Sequence, residues 1–200
     1  MNNMVPSSLR KCIEEQRQRQ ITNIKRASGG SINQAGIIEL DGGTHCFLKW
    51  NRNAPDDMFP REKEGLELLQ SAGTNIKIPD VYHTGYDPES ESHYILIEYL
   101  QEGRASSDSA EKFGCQLAEL HQTSNEQFGL DHDNYIGRLP QANNRHDEWN
   151  NFFVEERIGP QVKMAVDSGK LNSGDVRMFE NLYGELSSIM PDEPPALLHG

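Results

Sequence analysis

The chain has 200 residues and a formal net charge of −12 at pH 7, because 31 acidic residues outnumber 19 basic ones. This excess of negative charge argues against nucleic acid or an anionic membrane as the partner, since both are polyanions. No stretch approaches the roughly 20 apolar residues of a membrane span, and the N-terminus lacks the pattern of a signal peptide. The length suffices for one large domain or two small lobes.

The cysteines and histidines point to no disulfide framework and no metal centre. Cys12, Cys46 and Cys115 are scattered and odd in number, which favours a reducing compartment, and we therefore expect a cytoplasmic protein. The seven histidines show no ligand spacing, and no cysteine pair has the C-x-x-C distance of a zinc site.

The first 100 residues alternate between strand-like and helix-like patterns. They predict a short helix capped by Ser7 or Ser8, three strands, a longer helix beginning at Asp56 or Asp57, and two further strands. The predicted strands cover residues 21–28, 34–40, 44–51, 79–86 and 93–100. Asp41-Gly42-Gly43 is the expected turn between the second and third strands, because glycine adopts the positive φ of a tight hairpin. The order predicts a five-stranded antiparallel sheet with one helix inserted after the third strand.

A polar stretch, residues 101–107, reads as a linker, and the pattern after it is mainly helical. Helices are expected over 108–123, 147–168 and 173–190, with Pro160 breaking the second of them. A polar loop over 124–146 would be anchored by apolar side chains, namely Phe128, Tyr135 and Ile136. The chain is thus expected to be an α+β protein with an N-lobe over 1–100, a hinge over 101–107 and a helical C-lobe over 108–200.

A glycine-rich turn lies between the first two predicted strands, at Gly29, Gly30, Ser31, Ile32 and Asn33. Two adjacent glycines let backbone N–H groups approach phosphate oxygens that a Cβ atom would block. By itself such a turn is weak evidence, since most of them are only turns.

Lys49 strengthens this interpretation. Strand alternation places Lys49 on the same face as Phe47, and an inward-facing lysine is costly without an anionic partner. Glu62 is the expected partner because it lies on the sheet-facing side of the next helix, whereas Glu64 should face solvent. The alternatives are an edge-strand lysine that discourages aggregation and a surface ion pair of little energetic value. A glycine turn, a strand lysine and a helix glutamate in this order are more specific than any one of them, and they match the phosphate-holding pair of protein kinases.

Glu98, Tyr99 and Leu100 end the fifth predicted strand immediately before the linker. In two-lobed kinases the adenine ring lies against such a connector and bonds to its backbone. The alternative is that these three residues are simply the end of a strand.

Several motifs in the same order resemble the fructosamine kinase (ketosamine-3-kinase) family, from about residue 20 to the end of the chain. The motifs lie at Gly29–Gln34, Phe47–Asn51, Met58–Phe59 with Glu62, Gly65–Leu66, Leu117–His121, Asp133–Gly137, Phe152–Phe153 with Arg157, Gly159–Gln161 and Leu197–Gly200. The resemblance implies a protein-kinase-like fold, related to that of the aminoglycoside phosphotransferases.

The resemblance also implies an activity, which is ATP-dependent phosphorylation of the sugar 3-hydroxyl of free or protein-bound ketosamines, a deglycation reaction. By the same resemblance Gly29 to Asn33 would cover the phosphates, Lys49 braced by Glu62 would hold them, and Glu98 to Leu100 would receive adenine. ATP and Mg²⁺ are the implied cofactors, and a ketosamine is the implied substrate.

Leu197-Leu198-His199-Gly200 resembles the start of the family's catalytic loop, which continues with an aspartate base and later with Asn and Asp ligands of Mg²⁺. These positions lie beyond residue 200, so no catalytic residue or metal ligand is expected within the chain, and it is expected to be inactive as written. Two alternatives stay open at this point: a non-catalytic nucleotide-binding fragment or pseudokinase, and a kinase of another small molecule with the same fold.

Overall fold

The computed structural model describes residues 4–27 and 32–199. The chain divides into two compact units, Met1–Leu117 and Ala118–Gly200. Residues 101–107, the expected hinge, lie inside the first unit and form neither helix nor strand. Their role as a boundary between lobes stays a prediction.

The first unit contains the predicted five-stranded antiparallel sheet. Its strands are β1 (Ile21–Arg26), β2 (Gln34–Leu40), β3 (His45–Asn51), β4 (Val81–Asp87) and β5 (Ser92–Glu98). They are arranged in the order β1-β2-β3-β5-β4, and every neighbouring pair is antiparallel. The turn between β2 and β3 is the predicted one, since Gly42 and Gly43 have φ values of 78° and 79°. The prediction of the sheet is therefore confirmed, with strand ends shifted by one or two residues.

Two helices belong wholly to this unit, α1 (Ser7–Arg17) and α2 (Met58–Ser71). The helix α2 follows β3, as predicted. The predicted cap of α1 is wrong, because Pro6 occupies the N-cap position and no side chain caps the helix. The hydroxyl of Ser8 instead donates to Asp87 Oδ2 at 2.6 Å, which ties α1 to the end of β4.

The core of this unit lies between α1 and one face of the sheet. Alternate residues of the central strands are fully buried there, and α1 contributes Leu9 and Ile13 to the same cluster. The sheet residues of this cluster are Ile21, Ile38, Leu40, Cys46, Leu48, Trp50, Tyr94 and Leu96. Because successive side chains of a strand point to opposite faces, this packing directs Phe47, Lys49 and Asn51 to the other face.

The second unit is mainly helical, and α3 (Ser109–His121) extends from the first unit into it. The further helices are α4 (Trp149–Phe152), a π-helical segment (Phe153–Ile158), α5 (Gly159–Asp167) and α6 (Ser173–Ile189). The prediction of α6 is confirmed, and a capping box formed by Asn172 and Asp175 begins it.

The predicted loop over 124–146 contains a short hairpin that the sequence analysis did not find. Its strands are β6 (Asn134–Ile136) and β7 (Leu139–Gln141). The expectation that Ile136 anchors this segment is wrong, because its side chain is 56% exposed. Phe128 does anchor it, since its ring packs against the rings of Trp149 and Phe152.

The predicted break at Pro160 takes the form of a π-helical turn immediately before it. A proline has no N–H group, and in a regular α-helix its ring would meet the carbonyl of the residue four positions earlier, here Glu156. The wider π-helical turn over Phe153–Ile158 ends just before Pro160, which then occupies the first turn of α5, where a proline is tolerated.

Within residues 4–27 and 32–199, no helix is both long enough and apolar enough to cross a membrane.

Asp87 forms a buried polar link at the end of β4. Its carboxylate accepts hydrogen bonds from the hydroxyls of Ser8 and Ser90 and from the N–H of Glu89. Burial alone would raise the pKa of Asp87, but these donated hydrogen bonds outweigh it and hold the pKa below the ordinary aspartate value.

We predict that Asp87→Asn lowers the free energy of unfolding at pH 7 by about 1–3 kcal/mol, because it removes a charged acceptor from a buried network. A lowered pKa in the folded state stabilises the fold above pH about 4 and loses that contribution as the pH falls through the folded-state pKa. The difference in the free energy of unfolding between wild type and variant should therefore shrink towards pH 3. Urea unfolding at pH 7 and at pH 3 measures this.

Asp167→Asn is the matched control, since Asp167 forms an exposed ion pair with Lys163 on α5. It should change the free energy of unfolding by less than about 0.5 kcal/mol. Equal effects of the two substitutions, or an Asp87 effect that grows towards pH 3, would contradict the prediction.

Candidate functional site

The sheet face opposite the core carries the predicted lysine–glutamate pair. Lys49 Nζ donates to Glu62 Oε1 at 2.5 Å, which joins the middle of β3 to the second turn of α2. The side chains are 32% and 26% exposed, so the pair is neither fully buried nor freely solvated. Glu64 is more exposed and pairs with Arg61 of its own helix. The predicted pairing of Lys49 with Glu62 is thus present, and the predicted orientation of Glu64 agrees with it.

Apolar side chains surround Lys49 on this face. In the strand register, Lys49 lies between Ala35 of β2 and Ile95 of β5. The neighbouring row of the same face consists of Ile37, Phe47 and Ile97. An ammonium group beside an apolar sheet surface can accept a molecule with a flat apolar ring and an anionic tail.

Ile32 and Asn33 immediately precede β2 and form the shoulder of the glycine turn. Asn51 binds both of them. The Asn51 side-chain amide donates to the carbonyl of Ile32 at 3.3 Å and to Asn33 Oδ1 at 3.0 Å. Gly29, Gly30 and Ser31 lie outside the described residues. Their predicted role in covering phosphates, and that of Ile32 and Asn33, stays a prediction.

A cavity of about 420 Å³ adjoins Ile32 and Asn33. Its lining includes Arg26, Asn33, Gln34 and Trp50. Trp50 follows Lys49 directly and points to the opposite face. Ala35, the neighbour of Lys49 in the strand register, also lines the cavity, whereas Lys49 and Glu62 do not.

Glu98, Tyr99 and Leu100 lie where β5 ends, as predicted. The carboxylate of Glu98 pairs with Lys77 Nζ at 2.6 Å and accepts from the N–H of Asp80 at 3.2 Å. The hydrogen bond from Lys77 lowers the pKa of Glu98. The side chain of Glu98 is thus occupied by protein partners, so a ligand here would use the backbone. The prediction that these residues receive adenine stays untested.

In the second unit, residues 195–199 are tethered to the end of α3. The N–H of Leu197 donates to the Thr123 carbonyl at 2.8 Å, and the Ser124 hydroxyl donates to the Pro195 carbonyl at 2.7 Å. The rings of His121 and His199 stack with centroids 5.8 Å apart and planes inclined by 7°. Sequence reasoning interpreted His121 as a core or capping histidine and missed this tether, because nothing local to either segment signals it.

The polar segment that follows α3 is held by a hydrogen-bond network centred on Asn143. Asn143 is 1% exposed, donates to the His132 carbonyl and Asn134 Oδ1, and accepts from Arg157 at 2.6 Å. Its own N–H donates to Asp133 Oδ1 at 3.0 Å. The segment from residue 128 to 137, whose contacts the sequence could not predict, is therefore bound to residues 141–146. Arg157 of the π-helical segment joins this network through Asn143.

Among the described residues, one group has the spacing of a metal site: His146, Glu155 and Glu156. Glu156 already accepts hydrogen bonds from His146 at 3.0 Å and Asn144 at 3.1 Å. Burial would raise the pKa of Glu156, but the hydrogen bonds from His146 and Asn144 keep it below the ordinary value. Mg²⁺ prefers an octahedral set of oxygen ligands, so an imidazole within this network does not fit that ion.

The fold is protein-kinase-like. It has a five-stranded antiparallel sheet with one helix after the third strand, an ion pair between strand and helix, and a helical second unit. A family model described as fructosamine kinase matches residues 4–200. The chain belongs to the fructosamine kinase family.

Relatives and solved structures agree with this membership. A "probable ketoamine kinase" of Klebsiella aerogenes is 36% identical over 174 residues, which cover 86% of this chain and 58% of the relative. A protein-ribulosamine 3-kinase of Arabidopsis thaliana, named as chloroplastic, is 33% identical over 94% of this chain and 57% of its own length. A crystal structure from Thermobifida fusca YX-ER1, provisionally named a fructosamine-3-kinase, superposes with a TM-score of 0.83 and 31% identity, over 98% of this chain and 67% of that one.

The chain thus spans about three fifths of the length of the curated relatives that it matches, from 57% to 62%.

The network around Asn143 generates a prediction at Gly129. Gly129 has a φ of +108°, and a Cβ atom there would lie 2.5 Å from the Asn144 carbonyl oxygen and 2.7 Å from that of Asn143. We predict that Gly129→Ala destabilises the fold by about 2 kcal/mol or more, since backbone strain and a clash with backbone atoms combine. Thermal unfolding followed by circular dichroism measures the change.

Gly169→Ala is the matched control because Gly169 also has a positive φ, +69°, but a Cβ atom would meet no atom within 4 Å. It should cost about 1–2 kcal/mol, the backbone penalty alone. A Gly129 variant no less stable than the Gly169 variant would contradict the prediction.

Proposed function

We propose that the protein to which these 200 residues belong transfers the γ-phosphoryl group of ATP to the 3-hydroxyl of the sugar in a ketosamine. The observation that carries the proposal is the Lys49–Glu62 pair on an apolar sheet face, in a chain of the fructosamine kinase family. In the reaction the hydroxyl oxygen bonds to the γ-phosphorus, the bond from that phosphorus to the β–γ bridging oxygen breaks, ADP leaves, and the hydroxyl proton passes to a base.

Lys49 supplies positive charge where the nucleotide carries negative charge. Phosphoryl transfer depends mainly on positioning and charge neutralisation, so a fixed ammonium is more useful than a mobile one. Glu62 at 2.5 Å keeps Lys49 at one place above the sheet. The apolar row of Ile37, Phe47 and Ile97 offers the adenine ring a surface on the same face.

The backbone near Leu100 is the proposed partner of the adenine edge. Glu98 is engaged by Lys77 and Asp80, so it orders the end of β5 rather than contacting the base with its side chain. The glycine turn from Gly29 to Asn33 is the proposed cover of the phosphates, for which backbone N–H groups are suited.

The proposed acceptor is a sugar amine. The names of the relatives, a ketoamine kinase and a ribulosamine 3-kinase, support this class and the 3-hydroxyl as the position. ATP with a divalent metal is the cofactor of kinases in general. Mg²⁺ is the proposed ion, and the described residues do not offer a set of ligands that fits it.

A second candidate function is nucleotide binding without transfer by residues 1–200 alone. It is favoured by the resemblance, in which the base is the aspartate after the His-Gly pair at 199–200 and the metal ligands follow it. We propose that this segment binds ATP but does not phosphorylate a ketosamine.

The free thiols Cys12, Cys46 and Cys115 support a reducing compartment such as the cytosol as the place of action.

The acceptor assay tests the main proposal. The full-length protein, its intact mass first established, is incubated with ATP, Mg²⁺ and one acceptor at a time, and ADP release and phosphorylated product are measured. We expect transfer to fructose-lysine or ribulose-lysine and none to the 3-deoxy analogue, which lacks the acceptor hydroxyl. Transfer to choline or an aminoglycoside with none to any ketosamine would contradict the proposal.

Lys49→Met should lower kcat/KM for ATP by about 100-fold or more in the same assay, because it removes a fixed charge from the phosphates. Glu62→Gln should lower it less, since the ammonium is kept and only its position is loosened. Both variants should keep a cooperative unfolding transition.

Lys63→Met is the matched control, because Lys63 lies on α2, next to Glu62 in sequence, and forms an exposed ion pair with Glu67. It should leave kcat/KM within about twofold of wild type, as expected for a surface pair. Equal losses in the Lys49 and Lys63 variants would argue against a specific role for Lys49.

A further inference from the structure

Asn51 has a set of contacts that the proposed function does not assign. It is the last residue of β3 and lies on the same sheet face as Lys49, two residues earlier. Both contacts of its NH₂ group go to the shoulder of the glycine turn: the Ile32 carbonyl at 3.3 Å and Asn33 Oδ1 at 3.0 Å. Its Oδ1 atom accepts from the N–H of Asn53 at 2.8 Å.

We propose that Asn51 is a positioning residue for the nucleotide phosphates. It joins the shoulder of the phosphate-covering turn to the strand that carries Lys49, so that the two phosphate-binding parts keep a fixed distance. The proposal rests on the proposed function, because it assumes that Lys49 and the glycine turn bind one nucleotide.

The need for such a link follows from the composition of the turn. Two adjacent glycines give a backbone many conformations, but only a few of them direct the N–H groups at a phosphate. The ladder of β2 and β3 begins at Gln34 and Trp50, so Ile32 and Asn33 lie beyond it. Asn51 continues the connection past that point with two side-chain hydrogen bonds.

The contact with Asn33 also orients the Asn33 side chain. Its Oδ1 atom accepts from Asn51, which leaves the NH₂ group of Asn33 as a donor on the other side of the amide. A donor NH₂ group at the shoulder of the turn suits an anionic phosphate. Asn51 therefore acts through Ile32 and Asn33 and does not itself need to touch the nucleotide.

Asn51→Ser should remove the link to Ile32 and Asn33 but keep the local hydrogen bond to the N–H of Asn53. A serine hydroxyl can still bond to the N–H two residues ahead, which keeps the Asn53 contact, but it is too short to reach Ile32 and Asn33. The substitution adds no charge near the phosphates. Asn33→Ala removes the same link from its other end, and Asn53→Ala is the matched control because Asn51 uses only the backbone of Asn53.

The experiment measures binding of Mg·ATP and of adenosine to the full-length protein and these variants by titration calorimetry. Adenosine has no phosphates and serves as the internal control. We expect Asn51→Ser and Asn33→Ala each to weaken Mg·ATP binding about tenfold, with adenosine binding within twofold of wild type. The double variant should lose less than the product of the single losses, because both single variants remove the same hydrogen bond. Asn53→Ala should bind both ligands like wild type.

Three results would overturn the inference. If the Asn51→Ser variant binds Mg·ATP with wild-type affinity, Asn51 does not position the phosphate-binding residues. Equal losses of ATP and adenosine affinity would show a general effect on the fold. A wild-type protein that binds neither ligand would overturn the proposed function together with this inference, whereas wild-type binding with an unaffected Asn51 variant would overturn the inference alone.

Discussion

The alternation of side chains along β3 is the constraint from which the rest of the first unit follows. Cys46, Leu48 and Trp50 are buried against α1, so their neighbours in sequence must point the other way. A shift of one residue in the register would place Lys49 in an apolar core, at a cost that no partner there could offset. The hydrophobic effect on one face of the sheet thus fixes a charged group on the other.

The two units are stabilised by different interactions. The first has a continuous apolar core, whereas the irregular part of the second is held by Asn143 and Arg157. Burial lowers the pKa of Arg157, and its guanidinium still donates to Asn143 and to the Ala142 carbonyl while lying over the ring of Phe152. An arginine suits this position because its several donors can satisfy backbone and side-chain acceptors together.

This difference explains what could be predicted from the sequence. Periodicity predicted the five strands, the position of α2 and the pairing of Lys49 with Glu62, since each depends on which face of an element is apolar. It did not predict the hairpin β6–β7 or the tether between His121 and His199. The tether depends on a ring contact between residues far apart in sequence. The hairpin is local, but it lies in a polar segment that shows no period from which to infer it.

The end of β5 shows how side chain and backbone can divide their tasks at one position. Lys77 and Asp80 hold the carboxylate of Glu98, and the N–H of Glu98 donates to the Asp80 carbonyl. A side chain so engaged fixes the course of the chain into the linker without contributing a recognition group of its own. Under the proposed function, adenine would be bound by backbone groups whose geometry this ion pair would maintain. In the same way, the phosphates would be bound by a turn whose geometry Asn51 would maintain. Under this proposal the conformation of the main chain would be the binding element in both places, and a neighbouring polar side chain would keep it in place.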